Sequence, residues 1–115
     1  MSLSIYHNPR CSKSRETLAL LEARGLSPEI IKYLETPPNA DQVRALLTLL
    51  DMSSARQLMR TKEAIYGELN LAQEPDEQAL IAAILAYPQL LERPIVVNGA
   101  KAAIGRPPEN VLDIL

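Results

Sequence analysis

Residues 3–33, LSIYHNPRCSKSRETLALLEARGLSPEIIKY, decide the fold. Leu3-Ser4-Ile5-Tyr6 is short and alternating, as an opening strand should be. From Cys11 to Arg24 there is no proline or glycine, and Leu18 and Leu21 share a helical face. Gly25 then stands where a helix C-terminal glycine belongs. Glu29-Ile30-Ile31-Lys32-Tyr33 is a second β-rich run. Strand, helix and strand with joints this short make a βαβ unit with parallel strands.

Beyond it the composition changes. Thr36-Pro37-Pro38 breaks the chain, and Asn39 with Gln42 three residues on has the form of a capping box. Val43, Leu46, Leu47 and Leu50 follow at the spacing of an amphipathic helix. Ser53 to Met59 reads as a shorter helical piece. Pro75-Asp76 opens a further helix whose apolar stripe is Leu80, Ile81, Ile84 and Leu85, stopped by Pro88. Residues 39–88 are therefore expected to be a helical insertion. Strands return with Pro94-Ile95-Val96-Val97 and Lys101-Ala102-Ala103-Ile104, and Asn98-Gly99 between them is a hairpin signal. A short helix from Glu109 to Leu115 ends the sequence. The order βαβ, helices, ββα predicts an α/β, thioredoxin-like fold: a four-stranded mixed sheet with a helical insertion between its halves, residues 1–115 forming one domain.

Bulk properties exclude several functions. With 115 residues, 47% of them hydrophobic, the chain can bury one core of modest size. A net charge of −2 gives no general pull towards nucleic acid. The longest apolar run, Leu80 to Tyr87, is far short of the ~20 residues of a membrane span. No charged-then-apolar leader opens the sequence. One cysteine cannot form an internal disulfide, and one histidine cannot complete a metal shell with it. The expectation is a cytoplasmic monomer without bound metal or cofactor.

That cysteine, Cys11, falls where the first strand has ended and a helix begins. The first amide N–H groups of a helix lack intrahelical partners, and the macrodipole is positive there. Ser14 offers a hydroxyl, and Arg10, Lys13 and Arg15 offer positive charge. Each favours S⁻ over SH, as at reactive cysteines. A lone thiol of this kind has to be resolved by an outside thiol, for which glutathione or a glutaredoxin-type protein is the natural candidate.

The residues carry a family resemblance as well. YHNPRCSKSRETL (6–18) resembles the active-site loop of the glutaredoxin-coupled arsenate reductases, with its His-Asn-Pro-x-Cys-x-x-Ser-Arg pattern. YLETPP (33–38), LMRTKE (58–63), ERPIVV (92–97) and GRPPENVLDIL (105–115) match further blocks of that family. The resemblance is to a short branch that ends at the last block and has Arg10 and Lys13 where the established enzymes have small residues. It implies that Cys11 attacks arsenate, or a similar small oxyanion, held by Arg60, Arg93 and Arg106. Glutathione would be the co-substrate and glutaredoxin the partner. His7, Asn8, Arg10, Ser12, Lys13, Ser14 and Arg15 would stabilise the thiolate or bind substrate, and Pro94 would follow a cis bond, which X-Pro tolerates best. Arginines suit the task. A thiolate approaching an oxyanion is repelled by about 4 kcal/mol per charge pair at ~4 Å and an effective dielectric of ~20, and guanidinium forks offset this while gripping tetrahedral oxygens.

Two alternatives stay open. A glutathione-dependent thiol oxidoreductase with another substrate needs the same stabilised thiolate. An Spx-type regulator that binds RNA polymerase shares the fold, although Ser14 stands where its second switch cysteine would be.

Overall fold

The computed structural model describes residues 3–115. These form two compact units, one comprising the chain up to Thr36 together with Arg93–Leu115, the other Pro37–Glu92.

The first unit holds the sheet. Strand β1 (Leu3–Tyr6) lies between β2 (Glu29–Ile31) and β3 (Ile95–Asn98), and β4 (Lys101–Ile104) pairs with β3, giving the order β2-β1-β3-β4. β1 and β2 are parallel, with Ile5 opposite Ile30. β1–β3 and β3–β4 are antiparallel, with Val96 opposite both Ile5 and Ala103. This is the mixed, thioredoxin-like sheet expected. The hairpin differs slightly from the sequence reading: Asn98 belongs to β3, opposite Lys101, and Gly99 takes the first loop position at φ 61°, a conformation glycine adopts without a Cβ penalty.

One face of this sheet carries the core. Ile5 and Val96 are fully buried with Leu21 of helix α1 (Ser12–Ala23) and Val111 of the C-terminal 3₁₀ segment (Pro108–Ile114). Leu3, Leu18, Leu20, Leu26, Ala103 and Ile114 pack against them. The end of α1 explains its length. Leu26 N–H bonds Leu21 O and Gly25 N–H bonds Glu22 O, with Gly25 at φ 77°. These paired bonds form a Schellman motif, which stops the helix and returns Leu26 to the core. β2 is shorter than the sequence suggested, because the N–H groups of Glu35 and Thr36 both turn back onto Lys32 O at 2.9 Å.

The second unit is helical. Asn39 and Gln42 form the expected capping box on α2 (Ala40–Leu49), whose Val43, Leu46 and Leu47 are buried. The Ser53–Met59 piece proves to be a 3₁₀ turn over Ala55–Leu58. Glu77, in the first turn of the Glu77–Ala86 helix, accepts from Ser54 Oγ at 2.9 Å and from Ala55 N–H. A five-residue helix, α3 (Ala64–Glu68), precedes this α4 and gave no periodic signal at that length. Among the described residues no helix is long and apolar enough to cross a membrane.

Two backbone positions yield tests. A methyl on buried Gly105 would lie 2.5 Å from Thr17 Oγ1 and 2.8 Å from Pro94 Cγ. Both neighbours are fixed, since Thr17 Oγ1 donates to Lys13 O at 2.8 Å and Gly105 N–H bonds Pro94 O at 3.0 Å. Gly105→Ala should lose about 1–3 kcal/mol in denaturant unfolding; wild-type stability would contradict the contact. Asp51 ends α2 in the left-handed region, φ 57°, with Met52 N–H on Leu47 O. That conformation costs a residue with a Cβ ~1–2 kcal/mol, against ~0.5–1 kcal/mol of extra unfolded-state entropy for glycine. Asp51→Gly is expected to raise the unfolding free energy by roughly 0.5 kcal/mol, read as a higher denaturant midpoint; an unchanged or lower midpoint would contradict the strain at Asp51.

Candidate active site

The parallel ladder runs one residue past β1, where His7 N–H bonds Ile31 O at 2.8 Å. The loop that follows leaves few of its polar groups idle. Arg10 N–H bonds Asn8 Oδ1 and Cys11 N–H bonds Asn8 O, both at 3.0 Å. Arg15 Nη1 reaches back to Pro9 O, also at 3.0 Å. Ser14, fully buried, accepts from Asn8 N–H at 3.0 Å and lies 2.6 Å from His7 Nδ1. The arrangement that satisfies all three groups has the serine hydrogen on Nδ1 and the imidazole proton on Nε2. Ser14 was expected to face the thiolate; its hydroxyl is engaged instead by the histidine and the loop.

The loop delivers Cys11 as the N-cap residue of α1, with Arg15 N–H on its carbonyl at 3.0 Å. Its side chain makes no capping bond, and the first turn contains no acidic residue. The positive end of a 12-residue helix is thus left to the sulfur. Cys11 is half-buried. Ser12, Lys13, Arg10 and Arg15 are exposed around it, and Lys13 is partly neutralised by Glu16 at 3.5 Å, a surface pair of little worth.

The third component comes from the end of the chain. Arg106 Nη2 lies 3.5 Å from Cys11 Sγ, and its Nε donates to Arg93 O at 2.7 Å. Asn110 Nδ2 holds Arg106 O at 3.0 Å. The Arg93–Pro94 bond is cis, and so is Arg106–Pro107, which the sequence reading did not single out. Arg60 belongs to the second unit, where its Nη1 pairs with Glu63 at 2.7 Å and its N–H bonds Leu90 O. Sequence reasoning missed Asn110, Thr17 and Gly105, whose roles consist of bonds or contacts across the fold. No spacing rule encodes those. Among the described residues no group of three or more metal-ligating side chains exists.

The family model of the ArsC family matches residues 6–114. The chain belongs to the ArsC family. Over 114 residues it is 60% identical to the uncharacterized protein YfgD of Escherichia coli, covering 98% of this chain and 96% of that one. It is 52% identical to the arsenate reductase of Haemophilus influenzae, covering the full length of both. Among solved structures, the arsenate reductase of Vibrio cholerae superposes with a TM-score of 0.96 at 53% identity, covering 100% of this chain and 98% of that one.

Two ionisable side chains flank the loop of this ArsC-family chain. Burial and the Glu29 carboxylate push the Tyr6 phenol above its usual 10.0, so it adds no charge at neutral pH. His7 is pushed below its usual 6.5, first by burial, then by the Lys32 and Arg15 cations, against an opposite pull from Glu22. A histidine held neutral in the folded chain leaves the unfolded chain binding the extra proton once pH falls below 6.5. Stability should therefore be full above that value and decline as pH drops through it. In His7→Asn, whose Oδ1 can take the Ser14 hydrogen, that part of the decline should vanish. Parallel stability–pH curves for the two proteins below ~6.5 would show that His7 is not the group.

Proposed function

We propose that this protein is an arsenate reductase that draws its electrons from glutathione and glutaredoxin. The observation that carries the reading is the placement of Cys11 Sγ at an acid-free helix start, 3.5 Å from a guanidinium anchored on Arg93 O. Nucleophile and anion-binding group meet at one point, and full-length relatives at about half identity bear the name arsenate reductase.

In this reading the Cys11 thiolate attacks arsenic, and an arsenate oxygen leaves as water. A glutathione thiolate then attacks Cys11 Sγ. The S–As electron pair stays on arsenic, which falls from the +5 to the +3 state and departs as arsenite. Cys11 is left as a mixed disulfide with glutathione, which glutaredoxin reduces. Two thiols are oxidised to a disulfide for each arsenate reduced, so the electrons balance. Arg106 and the first-turn amides of α1 receive the oxyanion, and Arg93 contributes the carbonyl that aims Arg106. The resemblance also gives Arg60 a part in anion binding. A chemistry that consumes reduced glutathione belongs in the cytoplasm, where a single free cysteine stays reduced.

Turnover of arsenate by the purified protein with glutathione and glutaredoxin is the test. Cys11→Ser should abolish it. Arg106→Ala should lower kcat/KM by roughly 10- to 100-fold, the worth of a charge-assisted hydrogen bond, and Arg60→Ala should lower it too if the family role holds here. Retained activity in Cys11→Ser would end the mechanism. Inertness to arsenate, with turnover of a glutathione mixed disulfide, would make the protein a thiol oxidoreductase with another substrate.

A further inference from the structure

Arg106 is exposed, yet it is held as firmly as a buried residue. A long side chain at the surface keeps its rotamer freedom unless several partners remove it. Here four groups of one residue are engaged. Its N–H bonds Ile104 O at 2.9 Å, and Asn110 Nδ2 donates to its carbonyl at 3.0 Å. Its Nε donates to Arg93 O at 2.7 Å, which sets Nη2 3.5 Å from Cys11 Sγ. The residue before it is tied as well, through Gly105 N–H on Pro94 O at 3.0 Å.

The acceptors on Ile104, Arg93 and Pro94 are main-chain carbonyls at the open end of the β3–β4 pair. The bond from Asn110 has a different origin. It comes from an exposed side chain of the C-terminal 3₁₀ segment, Pro108–Ile114, four residues further along the chain. That segment is a firm base. Val111 is fully buried in the core, Asn98 Nδ2 donates to Ile114 O at 2.6 Å, and Asn110 N–H bonds Pro107 O at 3.0 Å. The Asn110 amide therefore reaches back from a fixed segment to the residue whose guanidinium faces the thiol. Being exposed, it is not part of the core that holds the segment in place.

We propose that Asn110 is a positioning residue for anion capture at Cys11, acting through Arg106. Asn110 fixes the main-chain end of Arg106 and Arg93 O fixes Nε, so the guanidinium is restrained from both ends. With the Asn110 bond removed, the guanidinium spreads over more rotamers and meets an incoming anion less often in the right place. Binding and reaction at a site depend on such placement, where a shift of about 1 Å can be felt strongly. The proposal rests on the reading of Cys11 and Arg106 as the meeting point of thiolate and anion, and it needs no particular oxyanion.

The test reads the guanidinium directly, with two alkylating reagents that differ in charge. The Cys11 thiolate attacks the methylene carbon of iodoacetate or iodoacetamide, an S–C bond forms, and iodide leaves with its electron pair. Both reagents need the thiolate, so the ratio of their rates cancels its population and reports the cation beside it. Arg106→Ala should lower the iodoacetate-to-iodoacetamide ratio about 10-fold, and Asn110→Leu about threefold with an unchanged denaturant midpoint. Asn110→Gln keeps the amide donor and should recover most of that loss. In the Arg106→Ala background Asn110→Leu should change nothing, because its effect passes through the guanidinium. With arsenate, Asn110→Leu should raise KM and leave kcat within about twofold. A wild-type ratio in Asn110→Leu, an equal loss in the Arg106→Ala background, or a fall in both rates together with stability overturns the proposal. A ratio untouched by Arg106→Ala overturns the pairing of Cys11 with Arg106 and this proposal together. The expected ratios without any arsenate turnover would support the role of Asn110 and end the reductase reading instead.

Discussion

The buried hydroxyl of Ser14 fastens three parts of the chain at once. It sits on the first turn of α1, accepts the N–H of Asn8 and meets the imidazole of His7 at the end of β1. Without it, Asn8 N–H and His7 Nδ1 would lose their hydrogen-bond partner, which costs about 1–3 kcal/mol for a buried group. The loop would then be held to the helix by Arg15 Nη1 on Pro9 O and would lose its buried attachment. Because it does close, the chain leaves β1 and enters α1 with Cys11 as the last extended residue, φ −92°, ψ 124°. The thiol's surroundings follow from that geometry more than from the charges nearby.

The same knot explains why His7 is suited to neutrality. A protonated imidazole would carry hydrogens on both nitrogens, and Ser14 would lose the acceptor for its own hydrogen. Burial and the neighbouring cations act in the same direction. Structure and charge state agree at neutral pH.

Much of this was legible in the sequence, for identifiable reasons. The βαβ opening, the capping box at Asn39, the hairpin at Gly99 and the helix-start position of Cys11 depend on local patterns that side-chain period and cap chemistry report. The 3₁₀ character of Ala55–Leu58 and Pro108–Ile114 was not legible, because apolar spacing over four to seven residues does not separate 3.0 from 3.6 residues per turn. The partners of Ser14 were also hidden: its position fitted a bond to the thiolate, and only the path of the loop decides that His7 and Asn8 take it. Arg106 could be nominated from a family block, but the carbonyl that aims it could not. That bond joins residues on two sides of a hairpin, and its existence depends on the register of β3 and β4.

The strand order β2-β1-β3-β4 has a bearing on how the chain is made. Of the four strands, the first to be made is an inner strand of the finished sheet, and its second neighbour, β3, is made only after the whole 37–92 segment. Until then β1 and β2 have only each other, and a two-stranded piece is marginal on its own. The segment 37–92 can gather its own helices in that interval, since domains tend to fold as units during synthesis. Arg106 comes later still, after the last strand of the sheet. A growing chain therefore carries the Cys11 thiol well before it carries the Arg106 guanidinium that lies beside it in the fold.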